Sequence, residues 1–205
     1  MRRVFTSYHH RLDQGYKNRF VELGVQHGIF IDWGVDTGDI DERLDNQTIR
    51  RKIRDEYLRD SSVTVLLVGL ETRLRKHVDW ELKSSMINGS VNKKSGIVVV
   101  NLPSTNCTYY TAAHEGEKEF YPDCPSWITI DSRAEYERRY PYVPARIIDN
   151  LLQPKAKISV TNWDRIISNP TMLGALIENA AVNRESCEYD LSRPMRMING
   201  SASVA

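Results

Sequence analysis

The stretch LRKHVDWEL at residues 74–82 places a carboxylate where a soluble helix seldom wants one. At about 3.6 residues per turn, Glu81 falls beside Leu74, Val78 and Leu82, the positions that would face a core. A charge at the rim of a buried stripe costs stability unless something compensates it. The plain reading is an ion pair, because Arg75 and Lys76 share the helix and His77 stands at i−4; such helical pairs are common and weak. The other reading is a functional carboxylate, because Glu81 lies one helix away from the loop after the run VTVLLV and can project toward a ligand-binding edge. A second polar group, Ser7, Tyr8, His9 and His10, closes the short run VFTSYHH at residues 4–10. A histidine pair on a surface loop is ordinarily just solvated, so its weight depends on which elements carry it.

Those elements follow from the pattern of apolar residues. Residues 3–7 fit a first strand, and 13–27 carry Tyr16, Phe20, Leu23 and His27 at helical spacing, with Asp13 as the expected N-cap and Gly28 as the stop. Residues 29–33, IFIDW, read as a second strand, and the Gly- and Asp-rich 34–46 as a long loop. A helix over 47–60 shows Ile49, Ile53 and Tyr57 on one face. The continuous apolar runs VTVLLV (63–68) and GIVVVNL (96–102) read as strands buried on both faces, with the helix 72–87 and its expected cap Thr72 between them. The resulting β-α-β-α-β-α-β order implies a parallel sheet flanked by helices. Ligands bind at the carboxyl ends of such strands, so the loops 8–13, 34–46, 69–72 and 101–106 share the binding edge. Both the SYHH loop and Glu81 are then placed near it.

Beyond residue 103 the periodicity weakens. WITI at 127–130 reads as an edge strand, 133–140 as a short helix, 162–186 as a mostly helical segment and 191–205 as a loose tail. The expected division is an α/β domain over 1–155, a helical extension over 156–190 packed on it, and the tail.

Composition narrows the classes. With 28 Lys+Arg against 27 Asp+Glu, the net charge is +1, without the basic excess of a protein built to grip nucleic acid. Three widely spaced cysteines, an odd number, argue against a disulfide framework and for a reducing compartment. No apolar run reaches the roughly 18 residues of a membrane span, and MRRVFTSYHH turns polar too early for a secretory signal. The expectation is a cytoplasmic protein without nucleic-acid or membrane partners. Cys107, His114 and Cys124 lack the paired spacing of a zinc site, so no metal is expected. There is no GxGxxG after the first strand and no GxxxxGK[ST]. The SYHHRLD loop is too bulky for a flavodoxin phosphate loop and lacks the paired acids of a response-regulator receiver.

Three separated motifs, VFTSYHH on the first strand, LLVGLET after the third and HVDWEL on the next helix, together resemble a TIR-like domain. The resemblance is nearest to the ThsB family of bacterial Thoeris antiphage defence and covers roughly residues 3–102 in order. It implies a TIR/flavodoxin-like α/β fold and an enzyme that cleaves NAD between nicotinamide and ribose. The product would be an ADP-ribose-derived signal, cyclic or conjugated, that reaches a separate effector protein. By motif position Glu81 is the catalytic residue, Tyr8 and His9 line the nicotinamide-ribose pocket, and Ser7 matches the TIR serine at the strand end. NAD enters as substrate, with no further cofactor.

Two departures from the common TIR pattern stand out. Many relatives carry a tryptophan four residues before the glutamate, where this chain has His77, and its tryptophan is Trp80 instead. His9 replaces the usual basic residue after the strand. On the wheel Trp80 lies off the apolar stripe, which suggests a contact between subunits. The resemblance also implies self-association through TIR surfaces. A non-catalytic assembly module, using Trp80 and the loop 34–46, is therefore the alternative, and a flavodoxin-like nucleotide sensor fits the topology alone.

Overall fold

The computed structural model describes residues 1–34, 45–89 and 93–201. Five strands, β1 (Arg2–Ser7), β2 (Phe30–Asp32), β3 (Val63–Val68), β4 (Gly96–Asn101) and β5 (Ser159–Asn162), form one all-parallel sheet in the order β2-β1-β3-β4-β5. The chain steps from β1 outward to β2 and then back past β1 to β3. The strand order therefore reverses between β1 and β3, the switch point where such sheets leave a crevice.

Both faces of the sheet are covered, as the uninterrupted apolar runs of β3 and β4 require. Along β3 the side chains alternate: Val63, Val65 and Leu67 pack with α1 (His10–Gln26) and α7 (Pro170–Asn183), and Leu66 and Val68 pack beneath α3 (Lys76–Ser85) and α5 (Ala145–Leu151). A third cluster, Phe5, Ile53, Leu58, Trp80 and Met195, joins β1 to α3 and to the turn that follows α2 (Asn46–Lys52). That turn, Ile53–Tyr57, is π-helical. Two short helices, α4 (Arg133–Arg139) and α6 (Trp163–Ser168), complete the layers. At Gly96 an added Cβ would lie 2.1 Å from the Ala180 carbonyl oxygen, so only glycine lets α7 approach β4 this closely.

Several expectations change. The fifth strand is Ser159–Asn162 and not WITI: Ile128 is 61% exposed, and the edge of β4 is taken by β5. SVTN is short and runs directly into Trp163 and α6, so its strand character is hidden beside a helical pattern. Since β5 belongs to the sheet, the sheet continues past residue 155. Helix α1 starts at His10, three residues before Asp13, and its N-cap is His9, whose Nδ1 accepts a hydrogen bond from the Leu12 amide at 3.3 Å. Helix α3 starts at Lys76, so Thr72 is not its cap; Thr72 opens a 3-10 turn, Thr72–Leu74.

The segment 191–200 is not a loose tail. It crosses α3 and α5 as a strap. Asn199 Oδ1 accepts the Lys76 amide at 3.0 Å, the Gly200 amide donates to the Leu74 carbonyl at 2.8 Å, and the Trp80 indole donates to the Arg196 carbonyl at 2.7 Å. Trp80 is only 1% exposed, so it cannot be a contact between subunits. The strap and the turn after α2 cover the side of α3 that a two-layer reading leaves open. Most of the loop 34–46, named as the other contact surface, and the side chains of Ile49 and Tyr57 lie outside the described residues. Among the described residues no helix is long and apolar enough to cross a membrane.

Candidate active site

Alternation along β1 decides where Ser7 points. It shares a face with Phe5, toward α3, and its hydroxyl donates to Glu81 Oε2 at 2.6 Å. Glu81 is 1% exposed and Ser7 equally buried. The carboxylate that looked anomalous on the helical wheel thus accepts a short hydrogen bond from the last residue of the first strand, 74 positions away.

The loops after β1 and β3 are pinned to each other beside this pair. Thr72 Oγ1 accepts the Gly69 amide at 2.9 Å and faces Asp13 Oδ2 at 3.4 Å. A Cβ at Gly69 would lie 2.4 Å from the Asp13 carboxylate, so a larger residue there would displace the Asp13 side chain. Burial pushes the Asp13 carboxyl above its usual range, a shift that the Thr72 hydroxyl opposes.

A cavity of about 250 Å³ opens at this edge, lined by Tyr8, His9, His10, Arg11, Arg75, His77, Val78 and Asn199. Tyr8 and His10 stack at 4.4 Å, and the Tyr8 hydroxyl donates to Gln14 Oε1 at 2.7 Å. His9 is 5% exposed. Because its Nδ1 accepts the Leu12 amide, its proton sits on Nε2, which has no hydrogen-bond partner among the described residues and lies 3.6 Å from Glu71 Oε2. Burial, and then the nearby Arg75 guanidinium, lowers the His9 pKa below the usual histidine value, so the ring is neutral at pH 7. Arg75 is itself paired with Glu71. Of the larger hollows, those of about 440 and 390 Å³ include no residue of the β1 or β3 loops, while those of about 410 and 270 Å³ adjoin this edge through Arg73.

The structure therefore brings Ser7 and Glu81 together and sets Tyr8 and His9 on the wall of the adjoining cavity. Glu81 is not itself among the lining residues: it sits one turn along α3 from His77 and Val78, which are. Sequence reasoning did not assign Arg11, Arg75 or Asn199. The first continues SYHH and was within reach of a pattern; Asn199 arrives through the strap and had no local signal. Missed as well was the pair beneath it. Asp79, two residues before Glu81, takes a bidentate pair from the fully buried Arg146 at 2.8 and 3.0 Å, and Arg146 also donates to the carbonyls of Arg193 and Pro194. The Cys107 and Cys124 thiols donate to the Arg139 and Ser126 carbonyls, and His114 is buried beside Glu117 with neither ring nitrogen hydrogen-bonded among the described residues. Among the described residues no group of His, Cys, Asp and Glu could hold a metal ion.

A five-stranded parallel sheet in this order, flanked by helices on both faces, is a TIR/flavodoxin-like α/β fold. The chain belongs to the family of the Thoeris protein ThsB, TIR-like domain, whose model matches residues 5–107, just over half of its length. No curated protein and no solved structure matches it.

Proposed function

We propose that this Thoeris family member is an NAD-cleaving enzyme, and that Glu81 is its catalytic carboxylate. The observation that carries the reading is the 2.6 Å Ser7–Glu81 hydrogen bond directly behind the Tyr8–His9 cavity at the switch point of the sheet. In the reaction, the bond between ribose C1 and the pyridinium nitrogen breaks and its electron pair leaves with nicotinamide, which departs neutral without a general acid. The ribose is left oxocarbenium-like, and a nearby ionised carboxylate stabilises it. Water adding at C1, with loss of a proton, gives ADP-ribose; an internal hydroxyl gives a cyclic form, and another nucleophile a conjugate. Ser7 holds the carboxylate in place. The buried His9 Nε2–H is a donor waiting for an acceptor on the ribose or carboxamide. The ADP-ribose-derived product would act as a diffusible signal to a separate effector protein, in a cytoplasmic setting.

Because Glu81 is almost fully buried, its carboxylate can touch the ribose only when the Tyr8–Val78 wall shifts. Self-association would be one way to drive that shift. The same burial favours a second reading, in which the Ser7–Glu81 pair is structural and the chain is an assembly module that cleaves nothing. Purified protein incubated with NAD, with chromatography for nicotinamide and mass determination of the partner product, separates the two. Glu81→Gln keeps the acceptor for Ser7 and is expected to abolish nicotinamide release. Full activity in that variant would remove the assignment.

A further inference from the structure

Beside the candidate active site, two adjoining hollows of about 270 and 410 Å³ share Arg73, Ala145 and Arg196. They lie between the Thr72–Leu74 turn, the start of α5 and the strap. The smaller also takes in Arg75, Arg146 and Arg193. Arg75 is at the same time a wall of the 250 Å³ cavity, so the basic hollow and the candidate active site meet at one side chain.

Five arginines converge here, and three are committed. Arg75 pairs with Glu71, Arg146 with Asp79 and Arg193 with Asp149. Glu137, which lines the larger hollow, is paired with Arg133 at 3.0 Å. Arg73 and Arg196 have no carboxylate partner among the described residues; Arg73 only leans over the Tyr142 ring at 5.9 Å. Two uncompensated guanidinium groups on one concave surface repel each other until an anion enters between them.

Arg196 is held in place more firmly than an ordinary surface arginine. Its amide donates to Asp79 Oδ2 at 2.8 Å and its carbonyl accepts the Trp80 indole at 2.7 Å. A Cβ on Gly200 would lie 2.9 Å from Arg196 Nη1 and 2.9 Å from the Leu74 side chain, so the bare glycine leaves the guanidinium room against the 72–74 turn. The strap thus fixes the backbone from which this fork projects, and guanidinium forks match phosphate oxygens in pairs.

We propose that this hollow binds the diphosphate of the dinucleotide whose nicotinamide ribose occupies the neighbouring cavity, with Arg73 and Arg196 as its ligands and Arg75 at the junction. The proposal rests on the NAD reading given above. A diphosphate carries two charges for the two uncommitted guanidinium groups, and past them the larger hollow continues along Tyr140, Pro141 and Val143, an apolar wall for the adenosine end. Arg196 lies outside the matched residues 5–107, so one of the two ligands of this subsite comes from the C-terminal segment and the other, Arg73, from the matched part.

The test is calorimetric titration of the full chain with inorganic pyrophosphate, followed by competition with ADP-ribose. The expected result is pyrophosphate binding that ADP-ribose displaces and that weakens at least about tenfold in Arg73→Ala/Arg196→Ala, with an unchanged far-ultraviolet spectrum. Arg73→Ala alone, at an exposed position, should show part of the same loss. For a chain that turns over, KM for NAD should rise by about the same factor with kcat little changed. Undiminished pyrophosphate affinity in both variants, or pyrophosphate that ADP-ribose fails to displace, would overturn the subsite. Binding of ADP-ribose through these arginines by a chain that never releases nicotinamide would overturn the enzymatic reading alone.

Discussion

The two halves of the chain hold α3 from opposite sides and by different means. The first half reaches it from the sheet: Ser7, at the end of β1, donates to Glu81, and the flanking apolar residues Val78 and Leu82 bury against the strands. The second half reaches it from outside. Arg146 of α5 grips Asp79, and the strap caps the helix at Lys76 and covers Trp80. The first set of contacts lies within residues 5–107, the stretch that matches the family; the second is largely contributed from beyond it. Neighbouring residues of one helix, Asp79 and Glu81, therefore answer to different parts of the molecule. An acid in a buried helix face is neutral information until its partner is known, and here one acid has a strand hydroxyl and the other an arginine.

Breaking the outer hold should have the largest effect on stability. Arg146→Ala leaves Asp79 buried without its cation and should cost about 3–5 kcal/mol, read as a lowered denaturant midpoint. A loss under 1 kcal/mol would mean that the Arg146–Asp79 pair does not hold α3. Breaking the inner hold should cost less. Ser7→Ala removes a hydrogen bond to a charged group, worth about 1.5–3 kcal/mol, and on the enzymatic reading it should also slow nicotinamide release. If it lowers stability as much as Arg146→Ala, the two sides of α3 are equivalent after all. The cap is a finer probe: Asn199→Ala should cost about 1 kcal/mol, checked by the same denaturation series, because the Lys76 amide loses its side-chain acceptor.

The smallest effect sharpens the comparison through pH. His9 in the first half and His114 in the second both titrate below the usual histidine value, in each case chiefly because burial disfavours the charged ring. For His9 the Arg75 charge adds to this; for His114, Glu117 opposes and Lys157 adds. A base that is harder to protonate folded than unfolded gives stability that is fully present above about pH 6.5, and this is lost as the pH falls through that value toward the lower folded pKa. Denaturant midpoints should therefore drop from pH 7 to 5, and His114→Asn should remove only its own part of the slope. An unchanged slope would place the whole effect in the first half.

Legibility differed in the same way between the halves. The first four strands and the helices between them were readable because each buries an uninterrupted or periodic apolar run, and their order forces a parallel sheet. That Glu81 lies near the SYHH loop followed from topology, but its hydrogen bond from Ser7 appeared only in the structure. The second half was poorly readable because its elements are short and defined by partners. SVTN becomes a strand only beside β4, WITI packs Trp127 against Tyr110 and Tyr121 without pairing, and the polar strap RPMRMING is ordered by bonds to residues more than a hundred positions away.

By itself the sequence determined the parallel α/β class and the order of the first four strands and the helices between them. These are local: propensity and apolar period act within a few residues, and sheet topology then leaves few arrangements. Only the tertiary structure decided that Trp80 is core, that Asp79 belongs to Arg146, and that the C-terminal segment forms one wall of the site. Each of these depends on a contact between distant segments. Hydrogen bonds and ion pairs of that kind have no period in sequence and exist only once the chain has brought both partners out of water together.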